Sequence, residues 1–262
     1  MSEWNLVSWN VNGIRAAWKK GFAEWLQEFN PTVIGLQETK IQADQLTPEM
    51  TEVDAYNSYW SHAKTKKGYS GVAIYSKQTP ESVTEGMNGL GEADFDQEGR
   101  VIRADFPNFI FFTVYFPNGQ RGDDRLQYKL AFYDAFLDMV DKLVAEGQHV
   151  VFCGDVNTAH KPIDLARPKE NENVSGFLPI EREWIDKVVE RGYIDTFREL
   201  HPDEADRYSW WNMRTRARDR NVGWRIDYFF ISPGLRGNLI AADIHADVMG
   251  SDHCPISITL KF

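Results

Sequence analysis

Apolar residues along this chain fall in short runs, each ended by an abrupt change to polar residues. Residues 5–9, 33–36 and 149–153 are such runs, and their pattern predicts strands buried on both faces. Residues 71–75, 101–106, 109–116, 225–231 and 256–260 also read as strands, with 101–106 and 109–116 forming a hairpin about Pro107-Asn108. Helical spacing takes over at 20–29, where Phe22, Trp25, Leu26 and Phe29 share a face and Pro31 marks the stop. A long amphipathic helix is predicted over 123–145. Its stripe is Leu126, Leu130, Tyr133, Leu137, Val140 and Val144, flanked by Phe136, and Gly147 ends it. Residues 181–191 give another helix. Strand, helix and hairpin recur in similar order in both halves. This predicts two packed sheets with helices outside, an α/β sandwich, rather than one parallel doubly wound sheet.

The 262 residues show no low-complexity linker and no composition break, so one domain over 1–262 with an ample core is expected. No apolar run approaches the roughly 20 residues needed to cross a bilayer. No basic segment followed by an apolar one opens the sequence, so neither a signal peptide nor a membrane partner is expected. The two cysteines, Cys153 and Cys254, sit in apolar, strand-like contexts. They read as buried free thiols, which fits a reducing, cytoplasmic setting. A net charge of -10 argues at first against a phosphate-rich partner. The local field matters more than the total. Residues 207–225 carry Arg207, Arg214, Arg216, Arg218, Arg220 and Arg225 against one acid, Asp219, and Lys64, Lys66 and Lys67 form a second cluster. Each cluster reads equally as a solvated loop.

The chemistry-bearing residues gather where the apolar runs end. Asn10 and Asn12 follow the first strand, Glu38 the second, and Asp155 and Asn157 the middle one. Asp227 lies within 225–231, and Asp252 and His253 precede the last strand. One polar strand end is ordinary, because loops face water. Five such ends, all carrying acids and amides, predict a shared rim. Oxygen donors of this kind suit a hard cation that keeps several waters, Mg2+ with Mn2+ as substitute. No Cys-x-x-Cys or His-Glu-x-x-His spacing points to zinc. In Gly-Ser-Asp-His-Cys-Pro, at 250–255, a carboxylate stands beside an imidazole, an arrangement that can hold one tautomer and raise basicity. A carboxylate-held cation with such a pair fits in-line hydrolysis of a phosphodiester. Acyl transfer through Ser-His-Asp lacks its Gly-x-Ser-x-Gly elbow.

These residues carry a resemblance. Trp9-Asn10-Val11-Asn12-Gly13-Ile14-Arg15, Leu36-Gln37-Glu38-Thr39-Lys40, Tyr115-Phe116-Pro117-Asn118-Gly119, Gly154-Asp155-Val156-Asn157-Thr158-Ala159-His160, Asn221-Val222-Gly223-Trp224-Arg225-Ile226-Asp227-Tyr228 and the 250–255 segment resemble motifs of the exonuclease III family of abasic-site DNA endonucleases. Ile163-Asp164-Leu165-Ala166-Arg167-Pro168-Lys169 resembles the abasic-site branch in particular. The likeness runs end to end. It implies a four-layer α/β/β/α sandwich of two mixed sheets flanked by helices. It also implies a Mg2+-dependent enzyme, acting as a monomer, that cuts double-stranded DNA 5′ to an abasic site and leaves a 3′-hydroxyl, with 3′-5′ exonuclease and 3′-phosphodiesterase activity as companions.

The resemblance implies roles as well. Glu38 would be the main metal ligand, with Asn10, Asn12 and Asp252 grouped around it. His253 would contact the scissile phosphate and Asp227 would orient it. Asp155 would activate the water, Asn157 would bind a phosphate oxygen or that water, and Tyr115 would lie against the phosphate. Asn171 would hold the target nucleotide's phosphate. Trp210, Trp224 and Ile226 would wall an apolar pocket that admits a bare deoxyribose, and Arg121 and Arg214 would insert into the duplex. Two positions vary within the pattern. Asn12 stands where some relatives carry Asp, and Val174 where some carry a second Asn. The competing readings are a lesion endonuclease acting on deoxyuridine, a lipid phosphodiesterase, and a non-catalytic nucleic-acid-binding regulator on the same fold. The last is disfavoured because Glu38, Asp155, Asn157, Asp227, Asp252 and His253 are all present.

Overall fold

The computed structural model describes residues 2–87 and 95–262. Its strands are β1 (Glu3–Asn10), β2 (Val33–Gln37), β3 (Asn57–Ser61), β4 (Val72–Ser76), β5 (Ser82–Glu85), β6 (Val101–Phe106), β7 (Phe109–Tyr115), β8 (Val150–Asp155), β9 (Ile194–Asp195), β10 (Trp210–Trp211), β11 (Gly223–Trp224), β12 (Asp227–Ile231), β13 (Leu239–Ile244) and β14 (Ile256–Lys261). Helices are α1 (Ile14–Trp18), α2 (Phe22–Phe29), α3 (Pro48–Thr51), α4 (Asp123–Ala145), α5 (Pro168–Asn171), α6 (Pro179–Glu190) and α7 (Thr196–Leu200). One six-stranded sheet runs β13-β14-β1-β2-β4-β3 and the other β5-β6-β7-β8-β12-β9. Both are mixed: β1 pairs parallel with β2 and β7 with β8, while the other pairs are antiparallel.

The two sheets face each other because their strands are apolar on both sides. Along β1, Leu6 packs into the cluster between the sheets and Val7 into the one under α1 and α2. Along β7, Phe109 and Phe111 point between the sheets, whereas Ile110 and Phe112 meet α4 and α6. The period-2 alternation therefore feeds three apolar layers and yields the four-layer sandwich. At Gly35 on β2 a side chain would lie 2.7 Å from Thr113 of the facing sheet, so the glycine lets the sheets approach.

Strand β6 and helix α4 match their expected bounds, and the other expected strands lie within a few residues. Helix α2 begins later than expected, because Gly21 takes a left-handed conformation (φ 90°) and caps it. On α4 the buried face is Lys129, Phe132, Tyr133, Phe136, Leu137, Met139 and Val140. Phe136 is thus central, while Leu126, Leu130 and Val144 are half-buried. Cys153 and Cys254 are buried free thiols. No helix among the described residues is long and apolar enough to cross a membrane.

The basic segment 207–225 is only partly an open cationic face: Arg214, Arg216 and Arg220 are exposed, and the others are engaged within the protein. Arg225 is buried between Asp164 and Asp195, Arg207 pairs with Glu204 and Asp243, and Arg216 pairs with Asp219. Carboxylates distant in sequence, Asp164, Asp195 and Asp243, thus take up Arg225 and part of Arg207. The lysines at 64, 66 and 67 are exposed, with Lys66 over the Tyr69 ring.

Candidate active site

An open cleft of about 550 Å³ lies at one end of the sandwich. Its lining includes Glu38, Tyr115, Asp155, Asn157, Asn171, Trp210, Trp224, Ile226, Asp252 and His253. Strand ends deliver most of these groups. Asn10 ends β1, Glu38 follows β2, Tyr115 ends β7, Asp155 ends β8, Asp227 opens β12, and His253 precedes β14. Asn12, Glu38 and Asn157 have left-handed backbones, with φ of 46°, 51° and 57°. Asn tolerates that region; Glu rarely visits it, and such residues cluster at working sites. Gly154 (φ 142°) brings Asp155 hard against β7, where a Cβ would stand 1.9 Å from the Val114 carbonyl oxygen.

Asp227, His253 and Asp155 form the buried half. His253 Nδ1 lies 2.8 Å from Asp227 Oδ2, and its Nε2 is 3.8 Å from Asp155 Oδ2. Ser209 Oγ donates to Asp227 Oδ2 (2.6 Å) and accepts the Ile226 and Asp227 N–H groups, so it fixes the carboxylate's angle. Asp227 Oδ1 is buried with no hydrogen-bond partner among the described residues. Burial opposes the imidazolium, yet Asp227 and Asp155 outweigh it and raise the His253 pKa to about 10. Burial first, then Asp227 and Glu38, push the Asp155 carboxyl up to about 7 against the pull of His253. The ring is thus charged at neutral pH, with Nδ1–H on Asp227 and Nε2–H toward the cleft.

Asn157 wraps Asp155. Its N–H reaches Asp155 Oδ1 (2.8 Å), and its side-chain amide donates to Asp155 Oδ2 (3.2 Å) and the Phe116 carbonyl (3.0 Å). Asn118 donates to Asn157 Oδ1 (2.9 Å). Tyr115 is buried over the Arg100 guanidinium, 4.6 Å from its ring centroid. Burial and then the Glu38 charge keep its phenol neutral far above the usual range.

In the other half of the cleft Glu38 and Asp252 are partly exposed. Asn10 Nδ2 bridges Glu38 Oε1 (3.0 Å) and Asp155 Oδ2 (2.9 Å). Asn12 donates to Asp252 Oδ1 (2.8 Å), and Trp210 Nε1–H donates to Asp252 Oδ2 (3.1 Å). Burial works against the Glu38 charge, but Lys40 and Asn10 hold its carboxyl below the usual range. Burial likewise opposes the Asp252 charge, and His253, Asn12 and Trp210 overcome it. Lys40 Nζ sits 2.6 Å from Glu38 Oε2 and 2.5 Å from Asn12 Oδ1. An ammonium already rests between two oxygens named as cation donors, and the donors are all oxygen, so this half fits a hard divalent ion. Asp155, Asp227 and His253 also lie within 4.8 Å of one another. With His253 already held by Asp227, that trio suits proton handling better than ion binding.

The apolar wall is tied to the charged one. Trp210 pairs in β-fashion with Trp224 and with His253, and the Trp211 N–H binds the Asp252 carbonyl. Ile226 and Trp224 cluster with Leu165 and Phe177. Asn171, on α5, lines the cleft with its amide on the Arg167 carbonyl, and Val174 lines it too. Arg121 lines a neighbouring cavity of about 310 Å³ with Tyr69, Arg100 and Arg125. Arg214 is exposed outside the cleft lining, its N–H capped by Asn212. Sequence reasoning gave no role to Ser209, Lys40 or Asn118. Lys40 and Asn118 stand inside motifs already singled out, whereas nothing local marks Ser209, which lies 18 residues from Asp227.

A sandwich whose strand ends bring carboxylates, amides and one imidazolium to an open cleft is the architecture of a metal-dependent phosphodiesterase. Residues 7–253 match the Endonuclease/Exonuclease/phosphatase family, and the chain belongs to it, among nucleases of the exonuclease III type. It is 46% identical over 257 residues to a Bacillus subtilis exodeoxyribonuclease, covering 98% of this chain and 99% of that protein. It is 43% identical over 256 residues to the DNA repair nuclease APEX1 of Danio rerio, covering 97% and 81%. An AP endonuclease structure from Archaeoglobus fulgidus superposes with a TM-score of 0.87 at 29% identity, covering 99% of this chain and all (100%) of that one.

Proposed function

We propose that this chain is a Mg2+-dependent DNA-repair endonuclease that hydrolyses the phosphodiester 5′ to an abasic site in duplex DNA and leaves a 3′-hydroxyl. The observation that carries the reading is the meeting of two unlike walls in one cleft. Asp155 and His253 face the oxygen donors Glu38 and Asp252, and Trp210, Trp224 and Ile226 form the adjoining apolar wall. A base-free deoxyribose turned out of the helix has an apolar face for such a wall, and an intact nucleotide carries a base that must also be accommodated. In this reading the whole chain acts as one domain and as a monomer, inside the cell.

Glu38 and Asp252, with Asn10 and Asn12 beside them, would hold the cation, displacing the Lys40 ammonium. When bound, the cation supplies charge neutralisation at the phosphoryl and leaving oxygens. Asp155 takes a proton from the attacking water; a carboxyl near neutrality is matched to that task. His253 donates Nε2–H to a non-bridging oxygen as charge develops there, and Asp227 keeps the ring charged and aimed. Tyr115, a neutral phenol beside Glu38, donates to the same phosphate. Both Asn157 amide protons are engaged within the protein. We therefore read Asn157 as holding Asp155 rather than binding phosphate. Asn171 offers a polar group at the cleft edge for the flanking phosphate. The reading includes a 3′-5′ exonuclease activity at the same site; the Bacillus relative is named an exodeoxyribonuclease.

The test is an end-labelled duplex bearing one tetrahydrofuran abasic analogue, incubated with Mg2+ and separately with EDTA. The analogue resists lyase chemistry, so a cut must be hydrolytic. A single Mg2+-dependent cut 5′ to the analogue is expected. Binding without cutting would sink the reading in favour of a regulator, and cutting only of a deoxyuridine duplex would transfer it to an intact lesion.

A further inference from the structure

Lys129 is fully buried on α4, and so is its partner, Glu181 on α6. All three ammonium protons are spent: on Glu181 Oε1 (2.6 Å), on the Asn157 carbonyl (2.8 Å) and on Thr158 Oγ1 (2.8 Å). Glu181 is equally occupied. Its Oε2 accepts the N–H groups of Gly176 (2.5 Å) and Leu178 (3.2 Å), and its Oε1 also accepts Ser175 Oγ (2.9 Å). Both elements touched by the pair belong to the cleft. Asn157 wraps Asp155, and Val174, Ser175 and Gly176 line the opposite edge beside Asn171. Tyr133, one turn along α4, adds a hydroxyl to the Val156 carbonyl (2.6 Å). At Gly119, next to Asn118, a Cβ would stand 2.6 Å from Ser175 Oγ, so the loop leaves room for this packing.

A buried ion pair is weak support for a fold, because desolvating two charges offsets most of their attraction. What it does well is fix geometry, since every donor and acceptor has one place to go. The left-handed backbone of Asn157 turns its carbonyl inward, and Lys129 is the cation waiting for it. We infer that Lys129 and Glu181 are positioning residues for the reaction: together they lock the Asp155–Asn157 turn and the 174–178 loop into one register, so that the water-activating carboxylate and the substrate-binding edge stand in fixed relation. The inference rests on the reading of Asp155 given above.

The experiment measures kcat and KM on the tetrahydrofuran duplex at saturating Mg2+, for wild type, Lys129→Met, Lys129→Arg and Glu181→Gln, with circular dichroism to show folding. Expected is a fall in kcat of about 10- to 100-fold for Lys129→Met, with KM for the duplex nearly unchanged, as for the loss of a group that aims a reacting one. Glu181→Gln should fall in the same direction. Lys129→Arg, which keeps charge and reach, should regain most of kcat; a purely space-filling role would make Met the better substitute. Folded Lys129→Met at wild-type kcat, or a loss confined to KM, overturns the inference. Where Lys129→Met does not fold, Glu181→Gln decides by the same criteria. If neither folds, the pair is a folding device and the inference is overturned. Wild type cutting alongside unaffected variants defeats this inference alone; wild type failing to cut defeats the functional reading and this inference with it.

Discussion

The two walls of the charged cleft contrast. The sheet containing β1 and β2 offers Asn10, Glu38 and Asn12, with Lys40 lying between Glu38 and Asn12 and 33% exposed. The sheet containing β8 and β12 offers Asp155 and Asp227, only 1% and 2% exposed. Both walls are acidic, yet they answer their surroundings differently. Glu38 and Asp252 stay ionised, with carboxyls held below the usual range. Asp155, with more burial and a second carboxylate nearby, is pushed the other way, to about 7. His253 comes from the segment before β14 in the first sheet and reaches the acids of the second. Chemically similar groups thus acquire different tasks from their environment, one wall suited to exchanging cations and the other to moving a proton.

The contrast breaks most sharply at Asp155. Asp155→Asn keeps shape and most hydrogen bonds but cannot accept a proton. Turnover of the abasic duplex should fall by about 10²- to 10⁴-fold while affinity in EDTA persists. Lost affinity instead would recast Asp155 as structural. The opposite wall is tested by Glu38→Gln, which removes one charge from the cation donors. A loss of a few kcal/mol of charge stabilisation corresponds to on the order of 10²-fold in rate. Unlike Asp155→Asn, this variant should recover as Mg2+ is raised. Mg2+-dependent cutting at wild-type rate and wild-type Mg2+ demand would remove Glu38 from the cation site.

Asp227→Asn probes the bridge between the walls. In the proposed mechanism, activity needs the Asp155 carboxylate, present above its pKa, and the His253 imidazolium, present below its own. The pH profile should therefore be bell-shaped. In the variant His253 loses the neighbour that most raises its pKa. Its charge then disappears at lower pH, so the alkaline limb should move to lower pH, with kcat down roughly 10- to 100-fold. An unmoved alkaline limb would detach that limb from His253.

The same contrast explains what the sequence disclosed. Strands buried on both faces announce themselves as apolar runs, and the polar residues at either end of them are those that meet in the cleft. That is why Glu38, Asp155, Asp227 and His253 were legible from local pattern. Edge strands were not. Asn57–Ser61 and Ser82–Glu85 lie at sheet margins, half-solvated, with too few apolar positions to stand out, whereas Leu239–Ile244, also at a margin, is apolar in sequence but leaves most of those positions at least partly exposed. The partners of charged residues were equally hidden. Lys129 reads as a helix-surface cation until Glu181, 52 residues away, is seen beside it, and Arg225 reads as part of a basic face until Asp164 and Asp195 enclose it. Local pattern reveals burial along one element; it cannot reveal which charges meet across elements.

The smallest expected effect comes from the seam where the apolar wall meets the cation wall. Trp210 gives its indole N–H to Asp252 and its ring to Trp224, 6.3 Å away in a T-shaped contact. Trp210→Phe keeps an aromatic surface and removes the donor. Asp252 retains Asn12, so the loss is one hydrogen bond on a partly exposed carboxylate, about 0.5–1.5 kcal/mol, or a few-fold to about tenfold. If the indole serves only the pocket, the loss should appear in KM for the abasic duplex and leave the Mg2+ requirement alone. If it aims Asp252, the Mg2+ requirement should rise while KM holds. The geometry favours the second outcome, because the N–H points at the carboxylate rather than into the cleft. A Mg2+ titration of the variant against wild type, at fixed saturating DNA, separates the two.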